Sequence, residues 1–491
     1  MLLLDRPAAV APAHTGERRL THIVLAVALL ATVGLRLLYL GFPLGTDEGG
    51  VAFIAKAWGS GHGSLYGAYW LDRPPLLVAL YTLAVTGGAT GIRVLGIVAA
   101  LALVAVTTVV TRAVAGERAA RIAAVLSAGL ASSIALAAVY TPSELLAAVP
   151  AAGSIGCLVV AHRRGQARWL VGAGLLAVAA ALIKQSFLDA GFAGAVFLIA
   201  SSVQARRPRL RWAAAYTAGA LIPVAAVGVW LAVAHVAPGS LVYALFGFRI
   251  HALNVLAASD VPLHVRLKSL WLPGAGSGLF ALLVIALRGL ATLRHDRVLA
   301  VTLAAWLGAG AVGVLGGGSY WPHYLLELVA PASLLSGAAL SRLRAGGLVA
   351  SWLVALAVIG TVGGVSQVRA GHLRHGVVAV GSYVRDHARP GDTQYVMYAR
   401  SNVGYYTGLP SPYPYAWSLL VRAHPGATAR LRQLLESPRR PTWIVGWQPP
   451  NRWGLDPGGA TARALHAHYR VVAHVHGHPI YHRTSSPRSQ Q

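Results

Sequence analysis

"THIVLAVALLATVGLRLLYLGFPLGTDEGG", residues 21–50, is apolar for about 20 residues and then sets Asp47 and Glu48 side by side. A helix of that length rises about 30 Å, the thickness of a bilayer's hydrocarbon. The run is too long for a signal peptide, has no small-residue cleavage pattern and leads into further apolar runs, so it reads as a retained first span. The chain has 491 residues, 56% hydrophobic and 11% charged, with a mean hydropathy of +0.59. A soluble domain carries roughly 25% charged residues, so that class is excluded. Acids are scarce, only 15 Asp and Glu, and two of them stand together after the first span.

Apolar runs of roughly 17 to 25 residues recur from residue 22 to residue 366. Arginine clusters fall between alternate runs: Arg6, Arg18 and Arg19; Arg112, Arg118 and Arg121; Arg163, Arg164 and Arg168; Arg206, Arg207, Arg209 and Arg211; Arg288, Arg294 and Arg297; Arg342 and Arg344. The positive-inside rule makes these six segments cytoplasmic. The net charge of +26 therefore reports topology and does not call for nucleic acid. The expected spans are 22–40, 92–111, 122–139, 145–161, 169–183, 187–203, 212–235, 272–288, 298–315, 324–341 and 348–366. The chain thus reads as a polytopic α-helical membrane protein of about 11 transmembrane helices, its N-terminus cytoplasmic and its tail extracytoplasmic. Cys157, the single cysteine, excludes an internal disulfide.

Shorter pieces need separate readings. "LLVALYTLAV" at 76–85 is too short to cross and is expected to dip into the outer leaflet. The stretch 169–203 is broken by Lys184, Gln185 and Ser186, and reads as two short spans meeting at the outer face. "YALFGFRIHALNVL" reads as an amphipathic piece along the outer interface. From residue 367 the pattern turns polar, and helix-like segments alternate with strand-like ones: "HGVVAVGSYVRDHA" then "TQYVMYA", "ATARLRQLLES" then "PTWIVGW", "ATARALHAHY" then "RVVAHV". That order predicts a small α/β domain with a largely parallel sheet. The expected division is a membrane domain 1–366, with an outer loop 41–91, and an extracytoplasmic domain 367–491.

With that topology, Asp47, Glu48, Asp72, Glu144, Asp189, Asp260 and Glu327 fall in outer loops or at the outer ends of spans. Lys56, Arg73, Lys184, Arg249, His251, His264, Arg266, Lys268 and His323 fall on the same side. Ionisable groups at membrane depth cost about 2.5 to 3.5 kcal/mol on insertion scales, so those retained tend to be paired, functional or facing a wet cavity. A carboxylate to accept a hydroxyl's proton and cations to hold a departing phosphate are what sugar transfer from an isoprenoid phosphate needs.

Four stretches carry a resemblance. "TDEGGVAFIAKAWGSGHGSLYGAYWLDRPPLL", "YTPSELLAAVP", "ALIKQSFL" and "GGGSYWPHYLLELVAP" make the chain similar to the integral-membrane glycosyltransferases of the C-type fold. The superfamily is the one that contains the protein O-mannosyltransferases and the bacterial lipid A aminoarabinose transferase. The resemblance implies the C-type glycosyltransferase fold and a polyprenyl-phosphate sugar donor. It implies Asp47 as general base with Glu48 beside it, and Arg73, Lys184, His323, Tyr324 and Glu144 around the donor phosphate or sugar. It implies an inverting transfer to an envelope lipid, glycan or protein at the outer face of a bacterial cytoplasmic membrane. A long luminal insertion after the middle spans is missing, only 236–271 standing there, which favours a lipid or glycan acceptor over protein. A divalent cation at Asp47 and Glu48 stays open.

Competing readings stay open beside these. Asp47 and Glu48 could simply cap a helix; Glu144 could be a satisfied structural carboxylate; Lys184 could snorkel; Tyr320, Trp321 and Tyr324 could form an interfacial belt. Asp189 could pair with a basic group, and Glu327, one turn beyond His323, could orient that ring. "HVHGH" at 474–478 reads as an end strand, with no acid or cysteine near enough to complete a zinc site. Tyr405, Tyr406, Tyr413 and Tyr415 read as packing residues more than as sugar platforms. The alternative function is a transporter or flippase of a lipid-linked or anionic substrate, which would place its charges near the membrane midplane.

Overall fold

The computed structural model describes residues 15–61, 63–258, 261–370 and 372–484. Asp5, Arg6 and Asp260, counted in the charge pattern above, lie outside the described residues. Helices over Thr15–Leu37, Gly88–Ala115, Ser143–Arg164, Leu210–Val233, Pro238–Ala257, Arg297–Gly316, Pro322–Leu340 and Gly346–Gln367 are long and apolar enough to cross a membrane. Leu263–Gly276 and Leu279–Thr292, bent by 70° at a short break, would make one more, giving 8 or 9 such spans among the described residues. Pro75–Val85, Arg168–Ile183 and Asp189–Gln204 are shorter apolar helices. The chain is a multi-pass α-helical membrane protein with a small C-terminal sheet.

The segments drawn at 169–183 and 187–203 are two helices, because Lys184 turns extended (φ −144°, ψ 114°) and helix resumes only at Asp189. The segment drawn at 122–139 is shorter than expected: its helix, Glu117–Leu130, stops at Leu130. The irregular backbone that follows is satisfied by side chains, as backbone away from water must be. Buried Arg36 donates to the carbonyls of Ala131 (3.0 Å), Ala138 and Tyr140 (2.7 Å). Thr361 accepts from the Ile134 N–H at 3.1 Å and donates to the Ser132 carbonyl at 3.3 Å.

By packing, the chain divides into two compact units, and the division differs from the boundary at 366/367. One comprises Met1–Gly41, Arg93–Trp230 and Val261–Val368; the other Phe42–Ile92, Leu231–Asp260 and Arg369–Gln491. The outer loop and the 231–260 segment thus group with the tail, since all three share packing that hydropathy does not register.

In the first unit the arginine-bearing segments meet. Arg118 donates to the Leu343 carbonyl (2.7 Å), Arg121 to the Glu17 carbonyl (3.3 Å), and Arg342 to the Thr292 carbonyl (3.5 Å). His162 and Arg163 sit 3.1 and 3.6 Å from Asp296. Ser143–Arg164 carries Glu144 at its start and Arg163 at its end. At about 1.5 Å per residue, these two groups lie about 30 Å apart along one helix.

In the second unit the tail packs Val377, Val380, Val384, Val403, Trp443 and Ile480 into a core around a 4-stranded sheet. Its strands, β1 (Gln394–Val396), β2 (Trp443–Val445), β3 (Tyr469–Val475) and β4 (His478–Arg483), run in the order β1-β2-β4-β3. Only β1 and β2 pair parallel; β2–β4 and β3–β4 are antiparallel, so the expected largely parallel sheet is corrected. The cause lies in "HVHGH", which ends the edge strand β3 at Val475, turns at His476–Gly477 and begins β4 at His478. His476 (φ 49°) and Gly477 (φ 79°) are both left-handed, the geometry of a two-residue hairpin turn, and they fold β4 back on β3.

Asp392 braces the start of this sheet, accepting from the Arg389 N–H (2.9 Å) and from the Trp443 indole (3.0 Å). Partial burial opposes its ionisation. The hydrogen bonds from Arg389, Trp443 and Thr442, with His482 nearby, outweigh burial and hold the carboxyl below its ordinary value. Its contribution to stability is therefore present above the unfolded-state value of about 4 and is lost as pH falls through the folded one. Hydrogen-exchange protection of the β1 and β2 amides in the full-length protein should fall as pH drops below about 4. Asp392→Asn should flatten that dependence.

Candidate functional site

In the second unit, Thr46–Gly59 is a helix whose first turn carries Asp47 and Glu48. Negative charge is favoured there by the unpaired N–H groups and the helix dipole. The two acids nevertheless do different things. Glu48 is 4% exposed and turns back to accept the Gly45 N–H at 2.9 Å, closing the helix start. The capping reading thus describes Glu48. Asp47 is exposed and accepts from the Trp417 indole N–H at 3.1 Å. One Glu48 oxygen, Oε2, is thus engaged by its own helix start. Among the described residues, no group of three or more His, Cys, Asp and Glu is placed to hold a metal.

Arg73, at the far end of the same loop, is paired. Its Nη1 lies 2.7 Å from Asp72 Oδ1, while Arg249 Nη2 approaches Asp72 Oδ2 at 3.6 Å. The Tyr66 hydroxyl donates to the Arg73 carbonyl at 2.7 Å, and burial, reinforced by Asp72, pushes that phenol's pKa up. Tyr413 and Tyr415 are buried and stack edge to face on each other, and the Tyr406 hydroxyl accepts the Leu44 N–H at 2.7 Å, as packing residues do.

In the first unit, Glu144, Lys184, His323 and Tyr324 come together. Lys184 Nζ is 2.8 Å from Glu144 Oε1, with both side chains almost fully buried, so the lysine does not snorkel. Its ammonium lies 5.2 Å from the centre of the Tyr324 ring. The Ser143 hydroxyl donates to Glu144 Oε2 at 3.1 Å, and His323 Nε2 stands 3.9 Å from Glu144 Oε1. Glu144 is therefore satisfied, pairing with Lys184 while His323 stands close by. The acid beside His323 is Glu144; Glu327 packs instead against Gly310 and Gly313, where a Cβ on Gly313 would stand 2.5 Å from Glu327 Oε1. Asp189 takes the Trp306 indole N–H at 2.8 Å and not a basic group. Arg266 donates to the Gly318 carbonyl at 3.2 Å, in the glycine-rich loop before His323.

Sequence reasoning missed Trp417, Trp306 and the Arg249–Asp72 pair. An indole N–H has no charge signal, and its partner lies elsewhere in the chain; the one hint was that Asp and Trp are both costly to bury unpaired.

A family model described as dolichyl-phosphate-mannose-protein mannosyltransferase matches residues 72–230. No curated protein matches the sequence. Among solved structures, ArnT from Cupriavidus metallidurans bound to undecaprenyl phosphate superposes with a TM-score of 0.64 at 17% identity, covering 96% of this chain and 99% of that one. The apo state of the same protein gives 0.65 at 16% identity, covering 95% and 98%. The Archaeoglobus fulgidus oligosaccharyltransferase in complex with zinc and sulfate gives 0.53 at 15% identity, covering 91% and 71%. The chain has the C-type glycosyltransferase fold, in line with the resemblance read from its motifs.

Breaking the buried ion pair from one side leaves an uncompensated charge. Lys184→Met should lower stability by about 3 to 5 kcal/mol, and adding Glu144→Gln should recover most of it, both read as melting temperatures in detergent.

Proposed function

We propose that the protein transfers a sugar from a polyprenyl-phosphate-linked donor to a hydroxyl of a cell-envelope lipid or glycan at the outer face of a bacterial cytoplasmic membrane. The observation that carries this reading is the exposed Asp47 carboxylate, held by one oxygen in the first turn of the helix that follows the first span. The fold supports it, as does the polyprenyl phosphate bound by a protein of the same fold.

In this reading Asp47 takes the proton of the acceptor hydroxyl as its oxygen attacks the anomeric carbon. The bond from that carbon to the phosphate oxygen breaks with inversion, and polyprenyl phosphate leaves with its electron pair. A phosphate leaving group needs no general acid. Lys184 and His323 exchange Glu144 for the donor phosphate, Tyr324 lines their site, and Arg73 holds phosphate from the outer loop. Glu48 keeps the helix start in place. The arginine-bearing ends of the first unit face the cytoplasm, and the tail lies outside.

Asp47→Asn should lower transfer by about 100- to 10,000-fold in purified protein supplied with a polyprenyl-phosphate sugar. Melting temperature should stay at the parental value because Asp47 is exposed. Transfer at the parental rate would overturn the assignment. In cells, loss of the gene should make one lipid-linked sugar accumulate while the same sugar disappears from the envelope.

A further inference from the structure

The helix that carries Asp47 is gripped by the C-terminal tail. Ser401 Oγ donates to the Thr46 carbonyl at 2.8 Å, Asn402 Nδ2 to the Leu44 carbonyl at 2.9 Å, and Arg400 Nη1 to the Thr46 hydroxyl at 3.3 Å. These three bonds fix the residues just before Asp47. The contact is close because the two residues after the acidic pair are glycines. A Cβ on Gly49 would stand 2.8 Å from Asn402 Cα; one on Gly50 would run into the Trp417 ring and Ser401 Oγ. "TDEGG" thus has two parts, acids that face outward or cap, and glycines that admit the tail.

We propose that Trp417 is a positioning residue for Asp47, so that the C-terminal domain completes the reacting group. The proposal rests on Asp47 being the general base. An exposed carboxylate has several rotamers and two equivalent oxygens. The indole N–H engages Oδ1 and leaves Oδ2 as the oxygen presented to the acceptor hydroxyl. Trp417 immediately precedes the helix Ser418–Ala423 and lies against Gly50, so its ring has little freedom to follow the carboxylate. Tryptophan suits this task because its N–H donates and cannot accept, and so never competes for the proton that Asp47 is to take.

The test replaces Trp417 with 3-benzothienylalanine, which keeps the ring's shape and removes only the donor, in the full-length protein. A hydrogen bond to a charged group is worth enough that kcat should fall about 10- to 100-fold. Donor KM and melting temperature should stay parental. Trp417→Phe should lower kcat in the same direction. A kcat within twofold of the parent in the isosteric protein would overturn the proposal, as would a rate loss matched by a fall in melting temperature, which would assign the bond to folding. Asp47→Asn run alongside separates the two readings. If it stays active, the base assignment fails and Trp417 fails with it; if it is dead while the isosteric protein turns over normally, only the Trp417 inference fails.

Discussion

The unpaired N–H groups at the start of the Thr46–Gly59 helix are the constraint on which the candidate site depends. They attract negative charge, and two acids stand in that first turn. Glu48 folds back to accept the Gly45 N–H, and is buried in the process. Its neighbour is released from capping and turns outward to the Trp417 indole. Two adjacent acids in sequence therefore become one buried structural group and one exposed group, a division set by which side chain reaches its own helix start.

The first unit obeys a related rule about charge. In a low dielectric, an ammonium and a carboxylate persist only if paired and hydrogen-bonded. Lys184 and Glu144 meet that condition through each other, with Ser143 and the Tyr324 ring adding support. Both stand where helices end, Glu144 in a first turn and Lys184 at the residue that stops a helix. The same economy explains Arg36, which occupies the carbonyls left over where the helix ending at Leu130 gives way to irregular chain. Arginine-bearing segments gather at the opposite end of the Ser143–Arg164 helix through bonds such as that from Arg118 to Leu343.

Much of this was legible from residue order, and the misses have identifiable causes. The helix break after Ile183 followed from polar residues interrupting an apolar run, and the tail's alternating elements followed from their periodicity. The hairpin at His476–Gly477 is hard to read from sequence because histidine is an unusual partner for a left-handed turn, and "HVHGH" alternates like a single strand. The helix ending at Leu130 is shorter than its sequence predicts because "ASSIALAAVY" is as apolar as a span; the carbonyls bound by Arg36 and Thr361 mark it as non-helical. Asp189 and Glu327 were noted as charges, but nothing along the chain pointed to Trp306 or to the glycines that make room for Glu327.

Hydropathy, charge alternation and the motif spacing determined by themselves that this is a multi-pass α-helical membrane chain, and that its apolar run breaks after Ile183. These properties are carried by neighbours along the chain. Tertiary structure alone decided which acid caps and which faces outward, which carboxylate pairs with Lys184, and that the outer loop packs with the tail. Trp417 and Asp47 are 370 residues apart, and a hydrogen bond over that separation exists only because the intervening chain has packed.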